Sequence, residues 1–322
     1  MLEVRDLTVT IGTEDGAFEA VSEVSLSLAP GEILGLVGES GCGKSITSLA
    51  AMGLLPPQAR VSRGGVFLDG EEITRLPPHR RLGQGSGRIA MIFQEPMTSL
   101  NPVMRVGEQI VEAIRVRETV SEREARARVV ELLDMVRIPD PARRIDNYPH
   151  EMSGGMRQRA MIAIALACRP SVLIADEPTT ALDVTVQTQI LGLIRDLCDS
   201  LLVAVLYITH DLGTVAALAD RVCVMYRGRI VERAPVADLF RNPTHPYTVG
   251  LMACLPRIGE RPETLETIPG SAPPLGPRVS GCGFAPRCER ARPDCRDDPL
   301  PWFDTGRDHV ALCRYPMVER EP

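Results

Sequence analysis

All but one of the 36 basic residues in this 322-residue chain are arginines, and the exception, Lys44, stands in Gly38-Glu39-Ser40-Gly41-Cys42-Gly43-Lys44-Ser45. A sequence that uses arginine for every other positive charge keeps lysine where a compact, point-like cation is needed and a planar fork would be misplaced. The octet follows a short apolar run, residues 32–37, that reads as a strand, and it opens residues 45–55, which read as a helix ended by Pro56-Pro57. In that context Gly38, Gly41 and Gly43 let the backbone curl so that its N–H groups, and the helix N-terminus behind them, cradle a phosphate. Lys44 would reach the β and γ phosphates and Ser45 would bind Mg2+, with Ser40, Cys42 and Ile46 completing the contact surface. The chain is therefore expected to bind a nucleoside triphosphate.

A second constellation supports this. Leu173-Ile174-Ala175-Asp176-Glu177 is an apolar strand ending in two acids, and nucleotides bind at the carboxyl ends of strands in open α/β sheets. Asp176 would hold Mg2+ through water, and Glu177 would polarise the water that attacks the phosphate.

The surrounding pattern sets the architecture. Residues 172–175 and 203–209 are continuous apolar runs of the kind found in parallel strands covered on both faces, and residues 184–197 read as the helix between them. Residues 2–10, 24–28 and 66–69 read as strands of an antiparallel sheet at the front, and residues 89–93 as one more buried strand. Residues 106–116 and 121–136 carry apolar positions at helical spacing, so the middle of the chain reads as a helical insertion. Residues 222–225 and 229–232 flank Arg227-Gly228 as a hairpin, after which proline becomes dense and periodicity fades. The expected fold is an α/β, RecA-like P-loop NTPase core with an antiparallel β subdomain and a helical subdomain at about residues 95–165. That core would fill residues 1–235, leaving 236–322 as a small cysteine-rich extension.

Charge and hydropathy exclude other classes. The longest apolar run, residues 201–208, is far too short to span a bilayer, and the opening Met1-Leu2-Glu3-Val4-Arg5-Asp6 lacks the basic-then-apolar pattern of a secretion signal. A soluble, cytoplasmic protein is expected. The net charge of −6, with arginines and acids intermixed, offers no basic stripe for a phosphate backbone, so no nucleic-acid partner is expected.

Some twenty residues before the acids stands Ser153-Gly154-Gly155-Met156-Arg157-Gln158-Arg159, and this segment resembles the signature motif of ABC transporter ATPases. A serine cap and exposed amides at a helix start form an anion site. In that family Ser153, Gly154 and Gly155 would face the γ-phosphate of ATP held by the opposite subunit. Gln94, at the end of its strand, resembles the family's Q-loop, a Mg2+ contact and hinge; Ala181-Leu182-Asp183 resembles the D-loop, and His210 the switch histidine. Phe18, the only aromatic before the phosphate loop, is the candidate for stacking on adenine. Met156, in place of the commoner glutamine, together with Gln94 to Pro102 and Asn242-Pro243-Thr244-His245-Pro246-Tyr247-Thr248, is similar to the D-type motor of oligopeptide and dipeptide importers.

That resemblance implies an ATPase that powers import from the cytoplasmic face of the membrane. Its partners would be transmembrane permease subunits, a paralogous or identical ATPase, and an extracytoplasmic solute-binding protein reached through the complex. Similar motors serve nickel and oligosaccharide importers, and other ABC ATPases act in DNA repair or translation. The solute is recognised by the permease and binding protein, so it is not written in this chain.

Four of the nine cysteines, Cys282, Cys288, Cys295 and Cys313, cluster in a segment rich in proline and arginine and poor in hydrophobic residues. Such a segment has little apolar surface to bury and would profit from a metal staple. Zinc sites favour close ligand pairs two to four residues apart, which are absent; four thiolates on longer loops suit an iron–sulfur cluster. A 4Fe-4S cluster, which the resemblance also implies, leads this reading, with zinc and unligated or disulfide-bonded cysteines as the alternatives.

Overall fold

The structure is a computed structural model that describes residues 1–14, 16–76, 89–94, 99–180, 182–255, 267–271, 276 and 279–317. The chain forms two compact units: one of Met1–Leu2, Leu28–Glu32 and Leu68–Leu206, the other of Glu3–Ser27, Ile33–Phe67 and Tyr207–Pro322. No helix among the described residues is long and apolar enough to cross a membrane.

The second unit carries the front sheet and the phosphate loop. Strands β1 (Leu2–Thr13) and β2 (Gly16–Leu28) lie side by side, with β4 (Ala59–Leu68) on the other flank of β1. A connection this short joins neighbouring strands only when they run antiparallel. Both strands are longer than alternation alone predicts, because residues 16–23 carry Gly16, Glu19 and Ser22 among the apolar positions and so hide the pattern. Strand β3 (Ile33–Val37) is buried at every residue and leads through the glycine loop into α1 (Lys44–Met52). The helix stops at Gly53, a left-handed cap with φ of 71° whose N–H reaches the last turn, three residues before the prolines expected to end it.

In the first unit β5 (Glu71–Glu72) follows the front strands, and β6 (Ile89–Ile92) pairs in parallel with β7 (Val172–Asp176). Between them lie α2 (Val106–Arg117), α3 (Glu122–Met135), the short α4 (Pro141–Arg144) and α5 (Gly154–Ala167), which realise the helical insertion. Ser121 opens α3 with a reciprocal cap: its Oγ accepts from the Glu124 N–H, and the Glu124 carboxylate accepts from the Ser121 N–H. Apolar Ile110, Ile114, Val129 and Leu133 are fully buried there. Helix α6 (Val184–Leu201) then returns the chain to β8 (Ala204–Thr209).

After α7 (Leu212–Leu218), β9 (Arg221–Tyr226) runs parallel to β3, and β10 (Arg229–Pro235) turns back antiparallel on β9 through Arg227-Gly228, as the hairpin pattern predicts. The sheet does not stop there. Past α8 (Val236–Arg241) and α9 (Pro246–Ala253), strands β11 (Trp302–Gly306) and β12 (His309–Leu312) form a hairpin whose second strand pairs with β10, Glu232 opposite Ala311. Two short strands, one starting on an exposed tryptophan, give too little alternation to be read from sequence.

Fully buried Glu232 fastens this extension. Its carboxylate accepts from the N–H groups of Thr244 at 2.7 Å and His245 at 2.8 Å, and Oε1 lies 2.7 Å from His309 Nε2. A carboxylate is tolerable at zero exposure only because it is met by these donors. Beside it, burial pushes His245 down to about 4, and the neutral ring accepts the Tyr247 N–H on Nδ1 at the start of α9.

Glu232→Ala is expected to cost about 3–5 kcal/mol in chemical denaturation, because it strands two backbone donors and His309 in the interior. The depressed histidine has a definite sign as well. The unfolded chain takes up a proton on His245 near pH 6.5 that the folded chain refuses until about pH 4, so stability falls as pH drops through that window. His245→Asn, which can still cap α9, should flatten that part of a stability-versus-pH profile.

Candidate active site

The phosphate loop is shaped by where a side chain cannot go. Gly38 has φ of 155°, and a Cβ there would stand 2.2 Å from the Met225 carbonyl oxygen; Gly43, at φ of 109°, would press within 3.0 Å of the Ala20 carbonyl. The turn after β9 closes the far side: Gly228 N–H donates to the Cys42 carbonyl at 2.8 Å, and Ser22 N–H donates to the Gly228 carbonyl at 2.8 Å. Helix α1 begins at Gly43 with no side-chain cap and no acid in its first turn, which leaves its N-terminal amides open to an anion.

Lys44 is only 5% exposed, and its Nζ donates to the carbonyls of Gly38 at 2.7 Å and Glu39 at 3.0 Å, with Cys42 Sγ at 3.8 Å. Burial raises the Cys42 thiol above its ordinary value, so it sits there as a neutral filler. Ser40, Gly41 and Ser45 are exposed and Ile46 is half-buried, which makes them the open lip of the loop. Phe18 lies half-buried on β2, and His210 is exposed just past β8, where Asp211 caps α7 by accepting from Gly213 N–H at 2.8 Å.

The first unit brings the predicted acid and amide together. Asp176 is buried at the end of β7, and Glu177 follows in the left-handed region with φ of 47°, a conformation that a non-glycine residue adopts only when its surroundings impose it. Glu177 Oε2 accepts from Gln94 Nε2 at 2.9 Å and from Thr180 Oγ1 at 3.2 Å. Thr180 was not among the predicted site residues; its place three residues after the acid, in a turn closed by Thr180 N–H on the Glu177 carbonyl, was the available signal.

Ser153 caps α5 through the Met156 N–H at 3.4 Å, and Ser153 and Gly154 are exposed at that helix start. The two glycines differ in what they permit. A Cβ on Gly154 would make ordinary contact with Leu182 at 3.6 Å, whereas one on Gly155 would meet Val186 Cγ1 at 2.7 Å. Asp183 caps α6, accepting from Val186 N–H at 3.0 Å, so its visible work here is to start that helix. Ala181 and the stretch from Glu95 to Thr98 lie outside the described residues.

Cys282, Cys288, Cys295 and Cys313 line one small cavity, and all four are free thiols. Burial raises Cys282, Cys288 and Cys313, the last to about 11, and the neighbouring thiols push in the same direction. Among the described residues no three His, Cys, Asp or Glu side chains stand ready to hold a single metal ion. The donor set therefore converges on one cavity without forming a single-ion cage.

Residues 21–180 match the family described as ABC transporter, and residues 231–295 match the one described as oligopeptide/dipeptide transporter, C-terminal region. A probable peptide ABC transporter ATP-binding protein of Sinorhizobium fredii is 52% identical over 97% of this chain and 94% of its own. The oligopeptide transport ATP-binding protein OppD of Escherichia coli is 48% identical over 99% of this chain and 94% of its own. Among solved structures, a dimeric ATP-binding cassette in a post-hydrolysis state bound to ADP and Pi superposes with TM-score 0.63 and 28% identity over 73% of this chain and 99% of that one. The cbiO1 protein of Clostridium perfringens, part of the ABC transporter complex cbiONQ, gives TM-score 0.64 and 27% identity over 74% and 90%.

Gly155→Ala should lower stability by about 1–3 kcal/mol through overpacking against Val186, despite its better helix propensity. Gly154→Ala should not, and adding Val186→Ala to Gly155→Ala should recover part of the loss in the same denaturation assay.

Proposed function

This chain belongs to the ABC transporter ATP-binding family, and on that premise we propose that it is the ATP-hydrolysing motor of a di- or oligopeptide importer. The observation that carries the reading is the buried Lys44 ammonium, held on the carbonyls of its own loop beside an uncapped helix N-terminus. An ammonium so placed exchanges carbonyl partners for phosphate oxygens without crossing a solvated gap. By the family's motifs, Ser45, on the open lip, and Asp176, at its strand end, would each serve as a Mg2+ ligand, and so would Gln94.

Glu177 acts as the base that orients the attacking water. Its Oε2 accepts from Gln94 and Thr180, which orient the carboxylate and leave it further acceptor sites for a water. That contact makes Gln94 the element through which movement of the helical subdomain is felt at the base. His210 and Phe18 keep their roles as γ-phosphate sensor and adenine partner within this reading. Ser153 and Gly154, exposed at a helix start, and the half-buried Gly155 beside them serve the ATP of a second motor subunit, identical or paralogous, and Asp183 serves the same interface.

Peptide is the solute class because relatives at about 50% identity carry that name and because residues 231–295 match the oligopeptide/dipeptide transporter C-terminal region. The motor works at the cytoplasmic face of the membrane, coupled through the helical subdomain to permease subunits and through them to an extracytoplasmic binding protein. Residues 1–235 form the nucleotide-binding domain and 236–322 the extension. Cys282, Cys288, Cys295 and Cys313, which line one cavity, would be the ligands of a 4Fe-4S cluster, with zinc as the alternative. Such a group would tie the extension's turns together.

Glu177→Gln should leave ATP binding intact while lowering steady-state ATPase activity by at least about a hundredfold. Undiminished turnover in that variant would remove Glu177 from its role. Anaerobically purified protein should contain iron and sulfide in equal amounts, and Cys288→Ser should lose both and unfold at a lower temperature; zinc alone, or no metal, would refute the cluster.

A further inference from the structure

Glu39, the second residue of the phosphate loop, has every polar group engaged, and two of its partners, Tyr247 and Arg287, come from beyond residue 236. Its N–H donates to Tyr247 Oη at 3.0 Å, and its carbonyl accepts from Lys44 Nζ at 3.0 Å. Its carboxylate receives both guanidinium nitrogens of Arg287, Nη1 at 2.8 Å and Nη2 at 3.2 Å. The arginine is itself fixed. Its side chain is 7% exposed, Nε donates to the Pro269 carbonyl at 2.9 Å, and its guanidinium lies about 6 Å from the rings of Tyr226 and Phe284. Arg287 sits in the turn Ala285–Arg287 between two of the cysteines, where Ala285 N–H donates to the Cys282 carbonyl at 3.0 Å and Cys288 N–H to the Ala285 carbonyl at 3.3 Å.

A carboxylate on the loop that must receive a triphosphate is an electrostatic liability, because like charges at short range oppose binding and a bidentate guanidinium removes that opposition. We propose that Arg287 is a positioning residue for ATP binding: by holding and neutralising Glu39 it lets the C-terminal extension set the affinity of the Gly38–Ser45 loop for nucleotide. The effect passes through the same Glu39 peptide that holds Lys44 before ATP arrives. An extension that held only itself together would have no reason to place a buried, bidentate arginine on the phosphate loop.

This inference rests on the reading of the loop as the ATP site, and the experiment separates the two. Equilibrium binding of MgATP to the full-length chain is measured for the wild type, Arg287→Met, and Arg287→Met combined with Glu39→Gln, each at low and high salt and with its thermal unfolding recorded. Arg287→Met should raise Kd about tenfold. The rise should shrink at high salt, as screening weakens the freed carboxylate, and the double variant should return to within about twofold of wild type. In steady-state turnover the same variant should raise KM with little change in kcat. Unchanged affinity in Arg287→Met, or a double variant as weak as the single, would overturn the clamp while leaving the ATP site standing. Absence of ATP binding by the wild type would instead overturn the site, and the clamp with it.

Discussion

One buried ammonium organises this structure. A lysine at 5% exposure is costly unless its donors are met, and Lys44 is met by the carbonyls of Gly38 and Glu39, which only a backbone curled back on itself presents. The curl demands left-handed glycine at Gly43 and a residue without Cβ at Gly38, where the Met225 carbonyl closes in. The Met225 carbonyl belongs to β9, which pairs in parallel with β3, the strand that feeds the loop. Sheet, loop and helix thus meet around one buried cation.

The hydrolytic half follows a different logic. There Glu177 is held in left-handed backbone, and its carboxylate is hydrogen-bonded by Gln94 and Thr180. The extension adds a third theme, since its strand β12 continues the sheet at β10 while Arg287 and Tyr247 reach the loop itself.

What the sequence reveals and what it hides divide along physical lines. The phosphate loop was legible because its chemistry is local: eight consecutive residues, one of them the only lysine. The buried runs of β3, β7 and β8 were legible because strands buried at every residue are apolar almost throughout. The first half of β2, and β11 and β12, were not, since half-exposed strands with glycine and acids lose their alternation. Least visible were contacts across long sequence separations, such as Glu39 with Arg287 and Glu232 with His309, because no local pattern announces a partner 248 or 77 residues away. Thr180 and the capping role of Asp183 fall between, local but unremarked because polar residues after a strand usually mark a simple turn.

The central claim is that Lys44 is retained as lysine for the geometry of its charge rather than the charge alone. Its most direct test is calorimetric titration of MgATP into the wild type and Lys44→Arg, the substitution this sequence makes everywhere else. The account predicts that the arginine variant stays folded and loses ATP binding, because a planar fork cannot occupy the site between the Gly38 and Glu39 carbonyls and still reach the phosphates. Wild-type affinity in Lys44→Arg would contradict it.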